Sequence, residues 1–482
     1  MNSVIRNIQR LNHVLIMATL VIGSFNANAA SQHQTVNWQL PSTRFAELNL
    51  DPHKIAKIAQ GGQLIIVSKP QDFTFWNARK KALQEYKSKR VTYVATVIDA
   101  PIDEIKAMAW DLESQAAYSP LLKKTKNLST NGNIRIGSYR QSIQIPVIKL
   151  VSDFIVQFNK YDNGNIGMVL IDEGDVEALY QYWEFFPLDE RRTLTVLSGW
   201  QDIETASFTY KLILEAEPSL KKVFPVLSLY ERLTQFRDEA ARRNHDYAEK
   251  PDPTIYDIRS VNSFISDNKA LDVHTLKELT KLGSVQFYHK LRKLSHDDEI
   301  HDIIQVSAVS YIPLPQKTIQ PLLNNFSSLV EYNDLTYGWL NNQETQKDWG
   351  HLHLAARIGP IHLPVEIYVS QEHVNENKML FEAVDHAYMY PLMGHVEYLA
   401  VPAKDNEQGT LVSLTIGGVI GPEASFIFKM IRYVPFHNVL LAALYGMLTA
   451  DNMENWVVER VANDIISKES VAPSPDKVVD TF

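Results

Sequence analysis

Cysteine is absent from the 482 residues, which excludes disulfides, thiolate metal sites and cysteine nucleophiles. No apolar run reaches the ~20 residues that a helix needs to cross a bilayer. No run of lysines or arginines interrupts a formal charge of −9, so neither nucleic acid nor electrostatic docking on anionic lipid is expected. The G-x-S-x-G elbow, the P-loop and the dinucleotide-binding glycine pattern are all missing, which leaves no catalytic signature and no expected cofactor. An apolar cavity survives these exclusions, because net charge does not report on it. With 45% hydrophobic residues, the chain has enough apolar material for two or three cored domains.

The amino terminus carries its own signal. Arg6 and Arg10 precede the short apolar stretch Val14 to Gly23, and Ala27-Asn28-Ala29 matches a small-x-small cleavage site. Residues 1–29 therefore read as a signal peptide, with a mature start at Ala30 and export, in a bacterium to the periplasm. Their loss removes two arginines and no acids, making the mature chain more acidic still.

Internal similarity organises the rest. Leu50-Asp51-Pro52-His53, an amphipathic stretch and Gly61-Gly62 before Leu64-Ile65-Ile66-Val67 match a later block. That block is Leu271-Asp272-Val273-His274, a similar stretch and Gly283 before Val285-Gln286-Phe287-Tyr288. Both predict a short helix, a glycine stop and a strand. Downstream, Val94 to Ile98 and Val306 to Tyr311 predict strands. The helices that follow carry Ile105, Met108, Ala109 and Leu112 in one block, and Ile319, Leu322, Leu323 and Phe326 in the other. Trp183-Glu184-Phe185-Phe186 aligns with Val396-Glu397-Tyr398-Leu399, and Val223-Phe224-Pro225 with Tyr433-Val434-Pro435, the two prolines marking helix starts. An offset of about 210–221 residues is far beyond solenoid periods of about 20–50. The pattern predicts two α+β domains, residues 30–250 and 251–470, with a tail over 471–482. The join falls in the polar stretch Asn244 to Pro253. Alternation in Phe208 to Leu214 and Ile361 to Val369 predicts antiparallel sheets covered on one side only.

The stretch from Val91 through Asp99-Ala100-Pro101, Asp103-Glu104-Ile105, Trp110-Asp111-Leu112-Glu113 and Tyr118-Ser119-Pro120 resembles the opening of START-like domains. These form the SRPBCC superfamily of polyketide cyclases, coenzyme Q-binding and lipid-transfer proteins. The second copy departs from the pattern, with Tyr311-Ile312-Pro313 and Asn325 in place of Asp99-Ala100-Pro101 and Asp111. The resemblance implies a tandem of helix-grip folds, each a curved antiparallel sheet around a long C-terminal helix with an apolar cavity between. Fold alone does not separate carriage from catalysis.

Aromatic and apolar residues are the ligand-cavity candidates: Tyr118, Trp183, Phe208 and Tyr210 in the first copy, Tyr332, Leu363, Val365 and Tyr398 in the second. Helix stripes add Val226, Tyr230 and Leu233, then Leu440, Leu444 and Met447. Plain core packing is their alternative role. His351 and His353 share one strand face, and a hairpin through Gly359-Pro360 brings His362 and Glu366 near, a weak metal-ligand set that parity places on the polar outer face. The recurrent acids, Asp172 with Asp385 and Glu184 with Glu397, serve either as a cyclase base or as outward strand residues. Parity favours the outward position. The expected function is carriage of a hydrophobic small molecule or lipid, without catalysis, and with transient membrane or membrane-protein contact left open. A cyclase or dehydratase, and a partner-binding pair of filled domains, are the alternatives.

Overall fold

The computed structural model describes residues 34–145, 148–205, 220–244, 254–257, 259–268, 273–325, 328–332, 336–341, 349–358, 361–384, 389–404, 407–421, 424 and 437–470. The expected signal peptide, residues 1–29, and the expected tail over 471–482 lie outside them, as do Phe208 and Tyr210. Val36–Phe482 form one compact unit.

One element order occurs twice. The first copy opens with helix α1 (Pro52–Ala59), capped by the Asp51 carboxylate, then strand β1 (Gly62–Ser68). A hairpin follows, β2 (Gln71–Asn77) with β3 (Ala82–Lys89), then β4 (Thr92–Ile98) and helices α2 (Ile102–Trp110) and α3 (Gln115–Tyr118). A meander comes next: β5 (Leu122–Asn131), β6 (Ile134–Ile145), β7 (Ile148–Lys160), β8 (Ile166–Glu173), β9 (Leu179–Pro187) and β10 (Thr193–Gln201). The long helix α4 (Leu220–Arg243) closes the copy. Pro225 lies inside this helix rather than at its start, where it removes only one backbone hydrogen bond near the amino end.

The second copy repeats the order. It begins with β11 (Ile255–Asp257), α5 (Phe264–Asp267), α6 (Val273–Leu282) and β12 (Gly283–His289), with the hairpin β13 (Arg292–His296) and β14 (Glu299–Ile303). Then come β15 (Val306–Ile312), α7 (Gln316–Leu323), α8 (Leu329–Tyr332) and the strands β16 (Thr336–Asn341), β17 (Trp349–Ile358) and β18 (Ile361–Asn375). β19 (Lys378–Ala383), β20 (Met389–Lys404), β21 (Glu407–Ile420) and helix α9 (His437–Ser470) complete it. Among the described residues, strand, hairpin, strand, two helices, six strands and a terminal helix make an α+β helix-grip fold in each copy.

The two copies share one sheet. Its order among the described residues is β16-β17-β18-β19-β20-β21-β15-β12-β1-β4-β10-β9-β8-β7-β6-β5, and the join is the antiparallel pair β1 with β12. These strands are the two duplicated blocks. Ile65 pairs with Gln286, its own counterpart in the repeat, so a pseudo-two-fold axis passes through that pair. Joining the strands buries two sheet edges that would otherwise stand open. The outer edge β5 is blunted by Lys123, Lys124 and Lys126. Gly62 and Gly283 occupy equivalent ends of the join, where a methyl group would lie 2.0 Å from the carbonyl oxygen of Tyr288 and of Val67, respectively. They are contact glycines at strand starts rather than helix stops.

Both faces of the central strands are covered, whereas β18 keeps the one-sided pattern expected of it, with Ile367 and Val369 buried and Tyr368 exposed. On the inner face, α4 and α9 pack against each other and against the central strands. Val226, Leu227, Tyr230 and Leu233 of α4 share one buried cluster with Val439, Ala443, Met447 and Leu448 of α9. The apolar run Val439 to Leu448 is therefore a core helix that serves both copies. No described helix is long and apolar enough to cross a membrane. On the outer face, the segment from Trp38 to Phe45, α1 and the β2–β3 hairpin cover the first copy. Phe264, Ile265, Leu276 and Leu279 of α5 and α6 extend that layer onto the second.

Near the axis, the inner face holds Gln63, Gln286 and Tyr288. Gln63 Nε2 donates to Thr234 Oγ1 at 2.6 Å. Gln63 Oε1, both Gln286 amide atoms and the Tyr288 hydroxyl are buried without hydrogen-bond partners among the described residues. Buried polar atoms of this kind are satisfied by ordered water. A high-resolution crystal structure is expected to show at least one buried water on Gln286, and a dry Gln286 would contradict this.

Candidate functional site

The interior of the first copy lies between α4, α2–α3 and the inner face of β4 to β10. Alternation along β9 turns Trp183 and Phe185 inward, and α4 brings Tyr230, Leu233 and Phe236 onto them. The Trp183 and Phe236 rings are 4.8 Å apart, and Tyr118 approaches Phe236 edge-on at 6.5 Å. Tyr139 on β6 stacks on Phe154 at 5.2 Å. These aromatic rings belong to one apolar cluster.

Polar groups punctuate it. Arg232 projects from α4, half-buried, its guanidinium 5.8 Å from the Trp183 ring and 6.0 Å from the Tyr139 ring. Its Nη2 donates to Gln115 Oε1 at 3.2 Å, an oxygen that also accepts from the Tyr139 hydroxyl at 2.6 Å. Burial pushes the Tyr139 hydroxyl up to about 12 against the pull of Arg232, and raises Tyr118 further, so both are neutral donors near neutral pH. Arg232 has no carboxylate partner among the described residues. Glu239 is committed to Arg242 and Arg243, and Glu231 accepts from Gln235.

Of the sequence candidates, Tyr118, Trp183, Val226, Tyr230 and Leu233 meet in this interior. Leu440 and Met447 join it as well, contrary to their expected place in the second copy's own cavity, because α9 leans across the axis onto α4. Tyr332 and Tyr398 are buried in the second interior. There the Tyr332 ring lies tilted 5.0 Å from that of Trp456, and the Tyr398 hydroxyl donates to Asn324 Oδ1 at 2.6 Å. The backbone register sets Leu363 opposite Ala356 and Val365 opposite Leu354. Their side chains, like that of Leu444, lie outside the described residues.

The β17–β18 hairpin forms, and its register puts His353 opposite Glu366 and His351 opposite Tyr368. By parity that face is shared with Tyr368, 40% exposed, and not with the buried Ile367 and Val369. The side chains of His351, His353, His362 and Glu366 lie outside the described residues. No metal-holding group of His, Asp or Glu occurs among the described ones.

The two repeated glutamates are buried and not solvent-facing. They do face away from Trp183 and from Val396, but the face they reach is covered. Glu184 is fully buried and accepts from the backbone N–H groups of Phe45 at 2.7 Å and Ala46 at 3.1 Å, at the start of a 3₁₀ turn, Phe45–Glu47. Burial pushes its carboxyl up, and these two donors oppose the shift. Glu397 accepts from the Ser263 and Ser266 hydroxyls beside α5, with Lys378 at 3.8 Å and His395 at 3.5 Å. Burial alone would raise it, but His395 and the two serines prevail and hold it at about 2. Each glutamate thus anchors the segment that covers its own sheet. The recurrence of Phe45 and Phe264 upstream of the two Leu-Asp blocks is the sequence signal for these covers. Asp172 is partly exposed, 3.7 Å from Lys81, and Asp385 lies outside the described residues.

Glu184→Ala is expected to cost about 1–2 kcal/mol, the worth of two backbone bonds to a carboxylate offset by hydration of the released segment. Urea unfolding of the full chain measures it, and an unchanged midpoint would contradict the anchoring role.

No protein-family model matches the sequence, and no curated protein matches it. Solved structures with a similar arrangement include the di-domain ARO/CYC StfQ from the steffimycin biosynthetic pathway. It is 12% identical with a TM-score of 0.25, over 77% of this chain and 99% of that one. A STAR-related lipid transfer protein fragment from Xanthomonas axonopodis is 11% identical with a TM-score of 0.25, over 36% and 98%. A START superfamily protein from Mycobacterium smegmatis is 13% identical with a TM-score of 0.21, over 30% and 96%. At such scores the assignment of the fold rests on element order and strand register.

Proposed function

We propose that the chain is an exported carrier that holds a hydrophobic small molecule or lipid in the helix-gripped interior of its first copy. The observation that carries this reading is the aromatic lining of Tyr118, Tyr139, Trp183 and Phe236 around a half-buried arginine with no carboxylate partner among the described residues. Large rings supply apolar contact with few rotatable bonds, and a small number of polar groups orient the guest. Removing ligand area from water contributes about 25 cal/mol per Å² before ordering costs. The Ala27-Asn28-Ala29 leader supports export.

Native mass spectrometry of the protein purified gently from its host, followed by organic extraction, tests the proposal. One apolar molecule retained per chain is the expected result. Chemical turnover of the extracted molecule would move the reading to an enzyme. An empty chain that takes up nothing from a mixed lipid extract would overturn it in favour of filled cores.

A further inference from the structure

We infer that the molecule held in the first copy carries an anionic head group and that Arg232 receives it. The inference rests on the carrier reading above and goes further by naming the class: a hydrophobic acid, aromatic or aliphatic, with a carboxylate, sulfonate or enolate at one end.

The argument starts from what an arginine inside a helix grip requires. A guanidinium offers five N–H donors and cannot shed its charge. Taking it out of water is costly unless it is paired. Here one donor is used, to Gln115, among the described residues. The two aromatic faces stand at 5.8 and 6.0 Å, at the outer limit of about 6 Å for a useful cation–π contact. The neighbouring acids are engaged elsewhere: Glu239 by two arginines and Glu231 by Gln235. What remains is a planar fork beside the Trp183 and Tyr139 rings, which matches a bidentate oxyanion on an apolar body.

The second copy does not repeat this device. Aligned on Pro225 and Pro435, Arg232 corresponds to Ala442; aligned on the apolar stripes of the two helices, it corresponds to Gly446. In place of a cation, that part of α9 packs closely on the sheet, with Val306 and Ala308 beside Gly446. Head-group recognition therefore belongs to the first copy.

Two probes that share a ring system separate the head group from the body: 8-anilinonaphthalene-1-sulfonate and the uncharged N-phenyl-1-naphthylamine. Binding to the full mature chain is followed by probe fluorescence. Arg232→Gln is expected to weaken the sulfonate by about 10- to 100-fold, the range for a lost charged hydrogen-bond pair, and to leave the neutral probe unchanged. Arg232→Lys, which keeps the charge but not the fork, is expected to lose less, and it carries the comparison should the glutamine variant fail to fold. If Arg232→Gln leaves the sulfonate unchanged, or weakens both probes equally with the fold intact, the anion inference falls while the carrier reading stands. If neither probe binds the unaltered chain, the carrier reading itself falls.

Discussion

Gly62→Ala is expected to lower the unfolding free energy by about 3 kcal/mol, at the upper end of ordinary overpacking costs. The added methyl would meet a backbone oxygen, that of Tyr288 at 2.0 Å, and not the end of a flexible side chain. Relief requires β1 and β12 to part, which breaks the register from Gly62 with His289 to Ser68 with Gly283. The same substitution at Gly283 meets Val67 O at 2.0 Å and should cost a similar amount, because the axis relates the two sites. Chemical denaturation with a single-domain probe in each copy reads the effect. Loss of stability with the two copies unfolding separately is expected. A midpoint within error of the parent would show that the join is not tight.

Acidification should destabilise the protein well before its carboxylates protonate. On the outer face of the second copy, His289 bonds to Ser307 at 2.7 Å, and Ser307 to Thr415 at 2.7 Å. His395, fully buried on β20, has neither ring nitrogen hydrogen-bonded among the described residues. Burial pushes His289 down to about 3, with His395 and Arg292 reinforcing the shift and Glu397 opposing it. His395 is lowered by burial too, with Lys378 adding to the shift and Glu397 and Asp267 opposing it.

A histidine with a depressed native pKa contributes stability that is fully present above its unfolded value, near 6.5. That stability declines as pH falls toward the native value, because only the unfolded chain takes up the proton. At about 1.36 kcal/mol per pH unit, His289 alone withdraws about 2 kcal/mol between pH 6.5 and 5, and His395 acts in the same direction. Glu397, held down by the Ser263 and Ser266 hydroxyls and by His395 once that ring is protonated, extends the loss below about pH 4.5. Glu184, Asp202, Glu231 and Glu454, raised by burial, work with the opposite sign and offset part of it. Urea midpoints at pH 7.5 and pH 5 should fall accordingly, and His289→Gln should flatten the dependence. An equal slope in that variant would contradict the assignment.

The duplication, the element order and the long closing helices were legible in the sequence, because apolar periodicity and recurrent Gly, Pro and Leu-Asp blocks are local signals. Pairing across the repeat was not. Nothing in Leu64 to Val67 states that its partner is Val285 to Tyr288, since an apolar strand buried on both faces looks alike whatever lies beside it. The same gap explains Leu440 and Met447, whose stripe showed that they are buried but not that α4 covers them. Strand parity placed Glu184 and Glu397 on the correct face and then misled, because the covers come from segments far away in the chain. Arg232 is not legible in the sequence for a related reason. On a helix rich in Arg, Lys and Glu it reads as one more solvated charge, and only the packing of α4 on the sheet half-buries it beside Trp183 and Tyr139.

A crystal structure of the chain from Ala30 onward with N-phenyl-1-naphthylamine bound tests the central claim most directly. The expected density lies in the first copy, between α4 and the inner face of β9, against Trp183, Phe236 and Tyr118. Density confined to the second copy or to the outer surface, with the first interior closed by its own side chains, would contradict it.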